Sequence, residues 1–276
     1  MDEFSQAVQA YRQTHFYQTD ERLVHTIEEA LQFINDVGFC LFYRHDSLEL
    51  PNLRDATAGD PGTREGLNWE WKDRLASEQV VYYGRPFRRK PGFVALPLLV
   101  PLYALSAAAD VGGDHDELAL TGTLSAEAHR IADTVIKRGS LSTRMLRQEC
   151  GLAASKDKAR FGRGLEDAQE KFLVTMVRTT SSSRAGYSYI WDSFTRVWPS
   201  AVEEAERMNL TTATASIVAA YLKIAGAATA KQIAYTFSLE PELVQKAANS
   251  LLTQEAIGQI TRGGAVYFAS QDFPGV

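Results

Sequence analysis

The apolar positions of the C-terminal stretch fall into three helical periods and two short alternating runs. Residues 211–225 (TTATASIVAAYLKIA) bring Ile217, Tyr221 and Ile224 back at helical spacing and stop at Gly226. AATAKQIAYTF places Thr229 as an N-cap and sets Ile233 and Phe237 on one face. Glu240-Pro241-Glu242 puts proline at a first helical position with acids around it, which suits the helix dipole. It opens LVQKAANSLLTQEA, where Val244, Ala248, Leu251 and Leu252 form an apolar stripe. IGQITRGGAVYF then gives two β-prone runs around Arg262-Gly263-Gly264, whose glycines allow the positive φ of a tight hairpin. Three helices followed by a hairpin is the order of a winged helix, a variant of the helix-turn-helix.

The same order occurs earlier. Residues 125–137 (SAEAHRIADTVIK) read as a capped helix with Ile131, Val135 and Ile136 apolar, and Gly139 ends it as Gly226 ends its counterpart. LSTRMLRQECGL matches AATAKQIAYTFSL at an offset of 87, pairing Ser142 with Thr229, Arg144 with Lys231 and Leu146 with Ile233. Residues 157–170 supply a third helix with Phe161, Leu165 and Ala168 inward, and FLVTMVRTTSSSRAGYSYIW reads as strand, turn and strand. The first third is less regular. Residues 4–16, TIEEALQFINDVGF, LPNLRDA and NWEWKDRLA read as helices, FCLFY, VVYY and FVALPLL as strands, and Asp60-Pro61-Gly62 as a turn. The expected fold is a helix-dominated α+β chain of three tandem winged helices. A decorated N-terminal domain spans 1–110, a middle winged helix 118–200 and a C-terminal one 208–276.

Composition narrows the function. The 276 residues are 45% apolar and 23% charged with a net charge of −5, which excludes general disorder. The opening MDEFSQAVQAYRQTHFY lacks the basic and apolar regions of a secretory leader. The most apolar stretch, PGFVALPLLVPLYALSAAA, is broken by three prolines and reads as a buried segment rather than a membrane span. A cytoplasmic protein with no membrane partner is expected. Cys40 and Cys150 imply neither a disulfide framework nor a zinc pattern.

Charge, however, is uneven. Residues 137–184 hold eleven basic against five acidic side chains, whereas residues 1–136 hold twelve against twenty-one. A basic block in an acidic chain is either a solvated helical face or the footprint of a polyanion. In the winged-helix reading, the third helix of the middle unit exposes Lys156, Lys158, Arg160 and Arg163, the preceding helix Arg144 and Arg147, and the wing Arg178 and Arg184. Arg85-Pro86-Phe87-Arg88-Arg89-Lys90 is the densest basic cluster. It is a basic hairpin reaching toward DNA or a surface turn capping an apolar strand pair. Gly162 and Gly164 either let a backbone approach closely or simply weaken the helix. The last unit is poor in cations, which points to internal packing.

Three other features carry less. In Trp69-Glu70-Trp71-Lys72-Asp73 the tryptophans cannot share a helical face, so one packs inward. Glu70 or Asp73 against an indole is a candidate general acid or base, and a structural aromatic anchor is the simpler reading. DVGGDHDE (110–117) offers three Asp, a His and a Glu. It fits no EF-hand spacing and has no second ligand set in the sequence, so it reads as an acidic linker. No metal and no cofactor are expected.

The run LSTRMLRQ…KARFGRGLEDAQEKFLV…GYSYIWDSFTRVWP resembles the winged-helix DNA glycosylase family typified by bacterial AlkZ and YcaQ. There a similar helix pair precedes a wing strand that leads into a Tyr…Arg-Val-x-Pro stretch, here Tyr189 through Arg196-Val197-Trp198-Pro199. The resemblance covers roughly residues 20–270 and is densest over 139–200. It implies three winged helices forming a curved DNA-holding surface, and hydrolysis of the N-glycosidic bond of alkylated or cross-linked bases. It also implies a Gln-apolar-Gln or Gln-apolar-Asp triplet that positions water on a strand after the N-terminal helices. The matching place reads Gly38-Phe39-Cys40-Leu41-Phe42-Tyr43, without Gln or Asp, and the one Gln-x-Asp triplet, Gln18-Thr19-Asp20, lies upstream with a polar middle residue. No catalytic residue is therefore assigned. The expectation is binding of double-stranded DNA, damaged DNA included, without the family's activity carried over. The alternatives are a glycosylase with a relocated carboxylate, Asp36, Asp46 or Glu49 being the first to test, and a regulator or protein-interaction module.

Overall fold

The computed structural model describes residues 2–180 and 186–274. An N-terminal helix, α1 (Glu3–His15), starts where the Asp2 side chain accepts from the Ser5 amide. Next comes α2 (Ile27–Val37), opened by a capping box between Thr26 and Glu29 and closed by Gly38 at φ 73°. It leads into β1 (Phe39–Leu41), α3 (Leu53–Ala56), α4 (Pro61–Ser77) and a hairpin of β2 (Tyr82–Phe87) and β3 (Lys90–Val94). Three short helices follow, α5 (Leu96–Ala104), α6 (Ala107–Asp110) and α7 (His115–Leu120). The middle region runs α8 (Ala126–Arg138), β4 (Leu141–Ser142), α9 (Thr143–Glu149), α10 (Lys158–Glu170), β5 (Val174–Thr179) and β6 (Tyr189–Ser193), then α11 (Phe194–Val197) and α12 (Pro199–Ala205). The last region runs α13 (Leu210–Ala225), β7 (Ala227–Ala228), α14 (Ala230–Phe237), α15 (Pro241–Thr253), β8 (Gly258–Arg262) and β9 (Ala265–Ala269).

The order helix, short strand, two helices, hairpin thus appears three times, and each time the short strand pairs antiparallel with the second hairpin strand. The sheets are β1-β3-β2, β4-β6-β5 and β7-β9-β8. The last two regions follow their periodicity, with Ser142 and Thr229 capping α9 and α14 through their hydroxyls, except that Ile136, read with Ile131 and Val135, turns to solvent.

Two readings of the first third are corrected. Asp60-Pro61-Gly62 is a helix start, not a turn: Asp60 Oδ1 accepts from the amides of Gly62 and Thr63, and Pro61 occupies the first turn, where its missing N–H costs nothing. FVALPLL is not a strand throughout, because β3 stops at Val94 and α5 begins at Leu96 with Pro97 in its first turn.

The apolar α5 ties the first region to the later ones. It packs on α12 and α13, and Leu99, Leu102 and Tyr103 are buried. No described helix is long and apolar enough to cross a membrane. Two glycines mark close approaches. A Cβ at Gly92 would stand 2.7 Å from the Cys40 carbonyl oxygen on the neighbouring strand, and one at Gly164 would stand 2.6 Å from Glu127 Cβ where α10 crosses α8. The first and middle regions are joined by β2 against α10 and by α4 against β5.

Candidate nucleic-acid interface

The middle region carries its exposed cations on α9, on α10 and the turn before it, and on β5. Phe161, Leu165 and Ala168 turn into the core, as their spacing requires, which leaves the opposite side of α10 to solvent. Arg144, Lys156, Lys158, Arg163 and Arg178 are exposed, and none of these five side chains has an ion pair or hydrogen bond among the described residues. Their neighbours differ. Arg160 clasps Glu127 at 2.6 Å and Asp157 at 3.4 Å, and its guanidinium holds the Glu127 carboxyl below the usual range. Arg147 donates to the carbonyls of Leu152, Ala153 and Ala154 at 3.2, 3.1 and 3.0 Å, tying down the loop between α9 and α10. Arg184 lies outside the described residues.

The 85–90 cluster forms a two-residue turn, since Phe87 pairs with Lys90 across it. Arg88 and Arg89 take φ values of 48° and 63°, a backbone that favours Asn-Gly and strains larger side chains. Their side chains are engaged by the protein itself. Arg89 meets Asp167 at 2.9 Å and Glu170 at 2.8 Å, Arg85 meets Glu166 at 3.3 Å, and Arg88 lies 4.1 Å over the Tyr235 ring. Lys90 is half-buried with no side-chain partner among the described residues. Phe87 is fully buried against Phe39 and Phe237.

Asp167 is the anchor of this contact. Burial pushes its carboxyl up, but the Ser125 backbone amide at 2.9 Å and Lys171 at 3.2 Å outweigh that and leave it below the usual aspartate range. Arg89, Arg160, Arg163 and Gly164 line one depression of about 350 Å³. The turn and α10 therefore do meet, through carboxylates on α10. Gly164 serves the approach of α8, while nothing lies within 4 Å of a Cβ at Gly162.

A second feature sits between α4 and the β5–β6 hairpin. Trp71 is buried and Trp69 partly exposed, so the two face apart as expected. Between their directions Lys72 is wholly buried. Its ammonium binds the Asp73 carboxylate and donates to the phenol oxygens of Tyr187 and Tyr189 at 3.0 and 2.7 Å, with the Trp69 ring centre 4.4 Å away. Tyr187 in turn donates to Asp73 at 2.9 Å. Burial first, then Tyr189, pushes the Tyr187 phenol well up, so it stays a donor. The neighbouring cleft, about 1040 Å³, is lined by Glu65, Trp69, Asp73, Thr179 and Tyr187.

Sequence reasoning singled out Trp69–Asp73 but missed Lys72 and its tyrosine partners. The legible signal was a lysine on the same helical face as Asn68, Leu75 and Ala76, since a charge there demands partners. Its partners stand 115 and 117 positions away, beyond any local pattern.

A family model described as AlkZ related matches residues 24–238. The chain belongs to this family. Its fold is similar to that of the Streptomyces sahachiroi DNA glycosylase AlkZ, with a TM-score of 0.61 and 11% identity over 99% of this chain and 71% of that one. No curated protein matches the sequence.

In this AlkZ-related chain, the segment that carries the resemblance has structural work. Tyr189 holds Lys72, Arg196 holds Asp192 and donates to the Ile136 carbonyl at 3.0 Å, and Pro199 opens α12. Phe39, Cys40 and Leu41, the strand on which the resemblance implies a catalytic triplet, are fully buried. Asp36 accepts from Gln32 at 2.6 Å and from Tyr17 on an exposed helix face. Asp46 and Glu49 pair with Arg44 at 3.4 Å and Arg12 at 2.5 Å and line a cleft of about 800 Å³ beside α1.

Proposed function

We propose that this AlkZ-related protein binds double-stranded DNA across the exposed cations of its middle region. The observation that carries the reading is that Arg144, Lys156, Lys158 and Arg163, on α9, α10 and the turn that leads into α10, stand exposed with no partner among the described residues of an acidic chain. Unpaired cations are the groups that release counterions on meeting phosphates, which makes affinity salt-dependent. The three repeats of helix, strand, two helices and hairpin support three tandem winged helices within 1–110, 118–200 and 208–276, with α10 in the recognition position of the middle one. Arg85 and Arg89 then position the first unit on the middle one rather than touching phosphate. Binding of a labelled duplex, followed by fluorescence anisotropy over a salt series, tests the reading. Salt-insensitive binding, or none, favours a protein-interaction module instead.

A second reading has one observation in its favour. Asp73 lines the cleft with Glu65 and Glu70 and is the carboxylate hydrogen-bonded to Tyr187, beside Trp69, where an extruded base would find an aromatic wall. In this reading a glycosylase uses Asp73 in place of the missing triplet. Release of an alkylated base from duplex DNA by the wild type, lost in Asp73→Asn, would establish it. Absence of release in the wild type leaves DNA binding alone.

A further inference from the structure

The acidic connector before the middle region reads in sequence as ligands without a second set. The fold supplies that set. Helix α7 carries His115 and Asp116, and α8 carries His129 and Asp133 one turn apart. The two imidazoles lie nearly parallel with centres 5.1 Å apart. Each turns Nε2 toward the same carboxylate: His129 Nε2 is 2.6 Å from Asp116 Oδ1, and His115 Nε2 is 3.8 Å from it. His115 Nε2 is also 3.4 Å from Asp133 Oδ1, an oxygen that the exposed Lys137 ammonium meets at 2.7 Å and gives up when Asp133 turns to an ion. The donor atoms of His115, Asp116 and His129 all lie within 4.8 Å of one another.

We propose that His115, Asp116 and His129, completed by Asp133, bind one divalent transition-metal ion of the zinc type. Bonds of about 2.0–2.1 Å in a tetrahedron put donor atoms roughly 3.3 Å apart. The 3.4 and 3.8 Å separations already stand near that spacing, and the 2.6 Å contact opens when a cation replaces the shared proton. Two imidazole nitrogens with carboxylate oxygens suit zinc and its neighbours in the transition series rather than calcium or magnesium, which take all-oxygen shells. His115 is 13% exposed and His129 33%, so the imidazole side is sheltered while Asp116 remains open to solvent. The ion fastens α7, part of the connector from the first region, onto α8. It is a structural clasp and does not depend on DNA binding.

The test uses the full-length protein stripped with chelator and titrated with cobalt(II), then zinc. The proposal expects one cobalt per chain, with the visible d–d bands of four- or five-coordinate cobalt, displaced by one zinc, and a zinc-dependent rise in Tm. His115→Ala and His129→Ala each lower zinc affinity at least 10-fold and abolish the Tm rise, whereas His45→Ala changes neither. Metal-free melting of each variant checks that it folds, and His115→Gln and His129→Gln replace any that does not. Absence of one-to-one binding in the wild type, or binding that survives loss of both imidazoles, overturns the proposal.

Discussion

The turn at Arg88-Arg89 and the segment 156–163 that opens α10 are both dense in cations, and they use the same kinds of side chain differently. At the turn, Arg85 faces the carboxylate of Glu166 and Arg89 those of Asp167 and Glu170, so their charge is neutralised within the protein. On α10 and the segment before it, Lys156, Lys158 and Arg163 are exposed and form no ion pair or hydrogen bond among the described residues. Density of charge along the chain therefore does not measure charge available to a polyanion. What decides it is whether the fold brings acids to the same place, and α10 carries its cations in its first half and its acids, which meet the turn, in its second.

The largest expected effect separates these two roles. Charge reversal in Lys156→Glu, Lys158→Glu and Arg163→Glu together should weaken duplex binding by 100-fold or more at moderate salt, on the order of what three lost phosphate contacts remove. Its Tm should hardly move, since none of the three has an ion pair or hydrogen bond among the described residues. Arg160 is left out of this set because reversing it would break the clasp on Glu127.

Arg89→Ala should do the opposite. It strips two ion pairs from a turn that crosses between regions and leaves Asp167 with fewer partners. A loss of about 1–2 kcal/mol in chemical denaturation is expected, modest because Arg89 is 45% exposed and solvent screens the pair. Duplex affinity should stay within a few-fold of wild type.

Two glycines on α10 sharpen the same contrast between its faces. Gly164→Ala should destabilise by about 1–3 kcal/mol, because the new methyl meets Glu127 on α8. Gly162→Ala meets nothing and should stabilise by about 0.5–1 kcal/mol through the lower entropy of the unfolded chain. Urea titration of both variants checks the pair.

The smallest effect is in pH. The Asp167 carboxyl is held below its ordinary value, so its contribution is complete above about pH 4–5 and is lost as pH falls through the folded value. Wild-type stability should drop on acidification over that window, and Asp167→Asn should flatten this part of the curve. An unchanged slope would remove Asp167 as the anchor of the turn.

The legible part of the molecule was the part built from local rules. Ser142, Thr229 and Thr26 cap helices, Gly139 and Gly226 end them, and the 87-residue offset aligns two regions of like strand order. The first third was harder because its signals compete locally. Asp60-Pro61-Gly62 has the composition of a turn and the geometry of an N-cap, and only the seventeen-residue helix behind it decides. FVALPLL is uniformly apolar, so periodicity cannot show that strand gives way to helix at Leu96. The site was less legible still. Nothing near Arg89 in sequence announces Asp167, nothing near Lys72 announces Tyr187, and the acidic connector shows one half of its histidine pair. Each is a long-range meeting, fixed by how α10, β6 and α8 pack.

The central claim is that the cations of α10 and its lead-in meet phosphate while those of the turn do not. The direct measurement is the slope of log affinity against log salt for one labelled duplex. Wild type, the Lys156/Lys158/Arg163 charge-reversal variant and Arg85→Gln/Arg89→Gln are compared. The account predicts that the first variant flattens the slope by roughly 2.7, about 0.9 for each contact, and that the second leaves it within about 0.9 of wild type. The reverse pattern, or equal slopes in all three, would contradict it.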